Sequence, residues 1–254
     1  MTAPLTRGAL DAPAPDKLEF DEEITNDSDK HKKSPLYSQA LYELAHTLIQ
    51  EVEDEKAEKV LGKLIRNPKD SLYYYKALNE MGMLHANRKE FDAALEYYKK
   101  VVEKSPLTEE GQSALAGIEN IYQSQNKPQE FLSYLDKVGL SSIKSQDEKE
   151  TMLFNSAEQI FLSGNYTAAL AALNSFINSY PNGNKAAHAN FYIAECYNSE
   201  DIDTNTLENA VYWYEYALEQ GCELCYYHLG ICYEFGRGTD ENIKKAVDIH
   251  IHRN

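Results

Sequence analysis

The segment FDAALEYYKKVVEKSP, residues 91–106, returns as YTAALAALNSFINSYP at residues 166–181, with the same Ala-Ala-Leu centre and the same terminal proline. A unit that recurs along a chain constrains the fold more than any single residue. It cannot bury its apolar face alone and must stack on copies of itself. Each copy follows another amphipathic stretch, ALNEMGMLHANRKE in one case and LFNSAEQIFLSGN in the other. Apolar residues at three- and four-residue intervals make each stretch a helix, and a short polar turn joins the two into a hairpin.

Small residues mark the period. Gly82 and Ala157 sit inside the first helices, with Ala94 and Ala169 twelve positions later in the second helices. A degenerate copy between them places Glu119 and Phe131 in the two slots. Upstream the slots hold Ala45 and Ala57; downstream they hold Ala194 with Ala210, then Gly230 with Ala246. The first-helix landmarks are therefore spaced by 37, 37, 38, 37 and 36 residues. Small side chains there let paired helices approach closely. Pro68, Pro106 and Pro181 stand at or just past helix ends, where a missing N–H stops the helix.

These landmarks resemble the tetratricopeptide repeat, which the second hairpin matches with Gly82, Ala94, Tyr98 and Pro106; Met81 and His85 depart from its leucine and tyrosine. From LIRNPKDS to FYIAECY the chain is similar to long tetratricopeptide proteins of bacteria, some of them in the cell envelope. YYHLGICYEFGRGTDENIKKA resembles the Sel-one-like repeat through Leu229, Gly230, Tyr233, Gly236, Gly238, Lys245 and Ala246. Trp213, Tyr214, Ala217 and Gly221 match the same family, with Tyr216 in place of its lysine. In these last two hairpins the landmarks are 16 residues apart, so the inter-helix loops are four residues longer. The expected fold is all-α: a right-handed α-solenoid of about six helical hairpins. Residues 1–35 lack a helical period and read as a disordered lead. Tetratricopeptide-type repeats follow over 36–183 and Sel-one-like repeats over 184–254, the last of them truncated or uncapped.

Charge narrows the partners. The net charge is −16, from 41 acidic and 25 basic side chains. Nucleic-acid binding draws its affinity from basic groups that release phosphate counterions, so this balance excludes it, and anionic membranes are disfavoured too. No apolar run is long enough to span a bilayer, and the first residues lack a signal-peptide core. Four cysteines, three of them clustered late, point to a reducing, cytoplasmic compartment rather than a disulfide framework. A periplasmic or envelope-associated location is the alternative if an export signal has been removed.

No catalytic motif is present. CELCYYHLGIC invites a zinc reading, but a helix sets Cys225 and Cys232 about 10 Å apart along its axis, too far to share one ion. The thiols are read as packing groups, HIHRN as a solvated helix end, and most of the 19 tyrosines as core landmarks. Neither a metal nor a cofactor is expected, nor is enzymatic activity.

The resemblance implies a concave face lined by the first helices. The residues mapped there as partner-binding are Glu43, Asn79, Glu80, Met83, Asn120, Phe154, Asn155, Glu158, Phe191 and Glu195, with Tyr42, His46, Gln123 and Asn198 beside them. Asparagines would pair an extended backbone, and Met83, Phe154 and Phe191 would supply apolar contact. The expected function is a non-enzymatic scaffold holding a basic or polar protein or peptide segment. The alternative is a structural spacer or a fragment of a larger, envelope-type assembly. Glutamates stand where co-chaperone repeats carry a basic clamp, so an acidic chaperone tail is disfavoured. Charge reversal at Glu158 or Glu195 is expected to weaken capture without lowering the melting temperature.

Overall fold

A computed structural model describes residues 36–66, 70–199 and 206–251. The lead read over residues 1–35 and the helix-ending role read for Pro68 lie outside them. Twelve α-helices and one short 3-10 turn make up the described residues, which contain no strand. None of these helices is long and apolar enough to cross a membrane.

The helices pair as the period predicts. They are α1 (Tyr37–Gln50) with α2 (Asp54–Arg66), α3 (Ser71–Asn87) with α4 (Phe91–Lys104), and α5 (Glu109–Ser124) with α6 (Pro128–Lys137). Then come α7 (Gln146–Leu162) with α8 (Tyr166–Ser179), α9 (Ala186–Asn198) with α10 (Thr206–Glu219), and α11 (Cys225–Phe235) with α12 (Ile243–Ile251). The chain divides into two compact units, Met1–Ile118 and Glu119–Asn254. In the first, α1 to α4 pack each on the next; in the second, α6 to α12 do the same.

Turn chemistry repeats as faithfully as the landmarks. Each of the first four hairpins reverses through a three-residue turn whose middle residue has a positive φ: Val52 (62°), Lys89 (62°), Asn126 (55°) and Gly164 (81°). In the first three, the next residue's N–H donates back into the helix, from Glu53 to Leu48 O, Glu90 to His85 O and Lys127 to Tyr122 O. That bond is the Schellman closure, which satisfies a carbonyl the helix end leaves open. Glycine is the usual residue at this conformation, and only the fourth turn uses one. The last hairpin reverses instead through a seven-residue loop, 236–242, opened by Gly236 (φ 64°).

Packing bears out the landmarks with one displacement. Ala45, Ala57, Ala94, Phe131, Ala157, Ala169, Ala194, Ala210 and Ala246 are all buried, as are Gly82 and Gly230. Glu119 is only half-buried, and its carboxylate takes an ion pair from Lys144 at 2.9 Å. Two residues earlier, Gly117 makes the close approach. A Cβ there would lie 2.6 Å from the Tyr98 ring, and one on Gly82 would lie equally close. Tyr98 therefore meets a glycine of its own hairpin and a glycine of the next helix.

The same device reappears at the other end and corrects the reading of HIHRN. A Cβ on Gly230 would lie 2.4 Å from the His250 ring. His250, half-buried, thus fills the aromatic slot of the last hairpin, while Ile251 is exposed and residues 252–254 of that reading lie outside the described residues. Most tyrosines are core groups, as read: Tyr98, Tyr134, Tyr214 and Tyr233 are buried, half-buried ones such as Tyr42, Tyr97 and Tyr192 pack against the core, and Tyr212, Tyr216 and Tyr227 are exposed. The four cysteines are free and buried. Cys225 stands beside Cys222 as a hydrogen-bond donor, which holds the Cys222 thiol below the usual thiol range and pushes Cys225 above it.

Candidate functional site

The mapped first-helix residues fall into three groups. Glu43, Asn120 and Asn155 are exposed; Asn79, Glu80, Met83, Glu158 and Glu195 are half-buried; Phe154 and Phe191 are buried. The last two correct the expectation of apolar groove contacts. A second-helix ring of the same hairpin and a first-helix ring of the next pack against each of them. Phe154 packs against Phe176 at 5.8 Å and Tyr192 at 6.1 Å between centroids. Phe191 meets Tyr214 at 6.2 Å and His228 at 5.3 Å. Amphipathic period alone does not tell a solvent-facing aromatic from one that the next repeat will cover.

Nor are the glutamates an open acidic row. The residue after one first-helix landmark faces the residue two before the next landmark, and three such couples are hydrogen-bonded or ion-paired. In the first unit, His46 Nδ1 lies 3.4 Å from Glu80 Oε1, and Tyr42 donates to the same oxygen at 3.0 Å. In the second, Tyr192 donates to Glu158 at 2.7 Å, and His228 Nδ1 lies 2.9 Å from Glu195 Oε1. Tyr214 donates to Glu195 as well. Burial, then these carboxylates, push the phenols of Tyr42 and Tyr214 above the ordinary range. Asn79 is spent similarly, its amide donating to Glu110 O at 2.9 Å.

Glu195 carries a consequence for stability. Burial opposes its ionisation, but the hydrogen bonds from His228 and Tyr214 outweigh it and hold the carboxyl below the ordinary value of 4.5. A depressed carboxyl stabilises the fold above 4.5 and loses that contribution as pH falls through its folded-state value. Glu195→Gln should therefore cost about 1 kcal/mol near neutrality, with the gap closing as pH falls through the folded-state value of Glu195. Urea melts near neutrality and along an acid series read this out. Glu195→Lys should lower the melting temperature, because it removes the acceptor of a buried tyrosine. That reverses the stability-neutral expectation drawn from sequence.

Uncharged polar groups collect elsewhere, in the second unit. Gln123, Asn126, Pro128, Thr151, Met152, Asn155, Ser156 and Gln159 line a groove of about 250 Å³. Its wall is fixed by reciprocal bonds. Asn126 Nδ2 donates to Ser156 O at 3.2 Å, and Ser156 Oγ donates to Asn126 O at 3.4 Å. Asn155 and Gln123 were legible from the helical period. Asn126, Thr151 and Gln159 were not, because Asn126 sits in a turn and the other two stand one helical turn before and after Asn155, beyond the positions mapped around the landmark.

Two hairpins match the tetratricopeptide repeat. The family model aligns with residues 76–108 and 151–183, the α3–α4 and α7–α8 hairpins. No curated protein matches the sequence. Among solved structures, the chain is similar to YrrB, a TPR protein with an unusual peptide-binding site. That match has 18% identity, 76% of this chain and 92% of that one covered, and a TM-score of 0.36. It is also similar to the Podosopora anserina putative kinesin light chain with nearly identical TPR-like repeats. There the identity is 15%, the coverage 75% and 98%, and the TM-score 0.33. The tetratricopeptide assignment rests on the two matched stretches, which hold Gly82 with Ala94 and Ala157 with Ala169 at their landmarks.

Proposed function

We propose that the protein is a non-enzymatic repeat scaffold that holds an extended segment of a protein partner against the first helices of its hairpins. The observation that carries this reading is the groove beside α7, where exposed carboxamides and a hydroxyl stand together on a first helix of a tetratricopeptide repeat. Asn120 and Asn155 in the second unit are the exposed mapped positions that would meet the partner there; in the first unit Glu43 is exposed and Met83 half-buried. Asn79, Glu80, Glu158 and Glu195 act chiefly as braces between repeats. Of the basic and polar partners expected from charge, the polar one is favoured, since those acids already hold internal donors. Nucleic acid and acidic chaperone tails stay disfavoured at a net charge of −16.

We also read the chain beyond residue 183 as Sel-one-like. Gly236 and Gly238 hold positive φ there, and Lys245 reaches Tyr233 and Glu215 as one network. A second reading, a part in a larger assembly, is favoured by the exposed apolar side chains Tyr227, Phe235, Val247 and Ile251 on the last hairpin. Photo-crosslinking residues introduced singly at Asn155, Glu96 and Val247 separate the two. Partner adducts at Asn155 alone support the scaffold. Adducts at Val247 alone support the assembly, and adducts at Glu96 on the second-helix side contradict both.

A further inference from the structure

The groove beside α7 has a composition out of keeping with the rest of the molecule. Charged residues make up 26% of the chain, yet none of the eight lining residues is charged. Six carry uncharged hydrogen-bonding side chains, and Pro128 and Met152 supply apolar wall. Two acids on the same helices hold other partners, Glu119 with Lys144 at 2.9 Å and Glu158 with Tyr192 at 2.7 Å. At about 250 Å³ the groove falls short of the size of ordinary small-molecule sites and suits one or two side chains of a chain lying across it.

Thr151, Asn155 and Gln159 are all exposed and lie four residues apart on α7, so they form a ladder along one helix face with a step of about 6 Å. Alternate side chains of an extended strand point the same way, with a repeat of about 6.7 Å. The two repeats differ by less than about 1 Å per step, within the reach of a carboxamide. Gln123 faces this ladder from α5. Its amide donates to Glu119 at 3.2 Å, which leaves its carbonyl oxygen as an acceptor. A carboxamide offers both donor and acceptor, so it pairs best with a group that does the same. Neither a lysine nor a carboxylate would meet an opposite charge among the eight lining residues.

Resting on the scaffold reading, we propose that this groove selects an extended peptide segment with uncharged hydrogen-bonding side chains, asparagine, glutamine, serine or threonine, at alternate positions. The probe is a synthetic peptide alternating glycine with glutamine and asparagine, titrated into the full chain by calorimetry. Versions carrying lysine, glutamate or alanine at the same positions are its comparators. The amide peptide should bind, and each comparator should bind about tenfold more weakly, the equivalent of one or two lost hydrogen bonds. The double substitution Asn155→Ala, Gln159→Ala should weaken the amide peptide about tenfold while leaving the melting temperature unchanged, since both side chains are exposed. Equal or tighter binding of the lysine or glutamate peptide overturns the proposal. So does an unchanged Kd in the double variant, or no binding of the amide peptide. Natural-partner adducts at Asn155 would still uphold the scaffold in those cases, so the two failures are told apart.

Discussion

Gly238→Ala is expected to destabilise the protein by about 2–4 kcal/mol, the largest effect of any single-methyl addition considered. Two costs combine at this position. Its φ of 70° is a conformation that a Cβ disfavours, and the added carbon would lie 2.1 Å from the carbonyl oxygen of Leu207 and 2.2 Å from the carbonyl carbon. The loop before α12 thus lies backbone to backbone on the start of α10, with no flexible side chain to yield. Gly221 and Gly236 serve as controls. Both have positive φ, but a Cβ would meet nothing within 4 Å at the first and nothing nearer than 3.4 Å at the second. Their alanine variants should carry the conformational cost alone, about 1–2 kcal/mol. Urea melts that place all three variants together would show that the close approach to Leu207 contributes nothing.

Overpacking at the helix landmarks comes next. Ala94→Leu and Ala169→Leu add a branched side chain where neither residue exposes any surface, and each should cost about 1–3 kcal/mol. Gly117→Leu belongs with them although it lies off the repeat period, because Tyr98 leaves no room for a Cβ there. Tyr98 is itself buried, and burial followed by the nearby Glu80 carboxylate pushes its phenol up to about 12. Glu119→Leu, at the nominal landmark of the third hairpin, should cost less than any of these. Equal midpoints for Gly117→Leu and Glu119→Leu would mean that the third hairpin packs on the period after all.

That contrast marks what a sequence of this kind discloses. Helix pairs and landmark burial were legible because a fixed period forces small residues to the same contact, as at Ala45, Ala94, Ala169 and Ala210. Substitutes for a missing landmark were not. Gly117 compensates for Glu119 from two positions away, a shift that only the path of α5 explains. Conformation at the turns was equally hidden. Val52, Lys89 and Asn126 share one backbone geometry without sharing a side chain, since the Schellman bonds fix it. For the site, the period placed Asn120, Gln123 and Asn155 on first helices correctly. It misplaced Phe154 and Phe191, whose exposure depends on the ring at position 192 or 228 in the repeat that follows.

The couples between neighbouring first helices also give the array a syntax. His46 meets Glu80 in one unit, while Glu195 meets His228 in the other, with acid and base exchanged between leading and trailing positions. Neighbours are thus not interchangeable. Setting the α3–α4 hairpin directly after the α7–α8 hairpin would bring Glu80 to the place of Tyr192, carboxylate against Glu158 carboxylate. Excising the α9–α10 hairpin would bring His228 to face Glu158, a match as good as the one removed. Duplication and loss of hairpins over evolutionary time would therefore be filtered at these few couples. The order of repeats can be inherited even where their individual sequences drift.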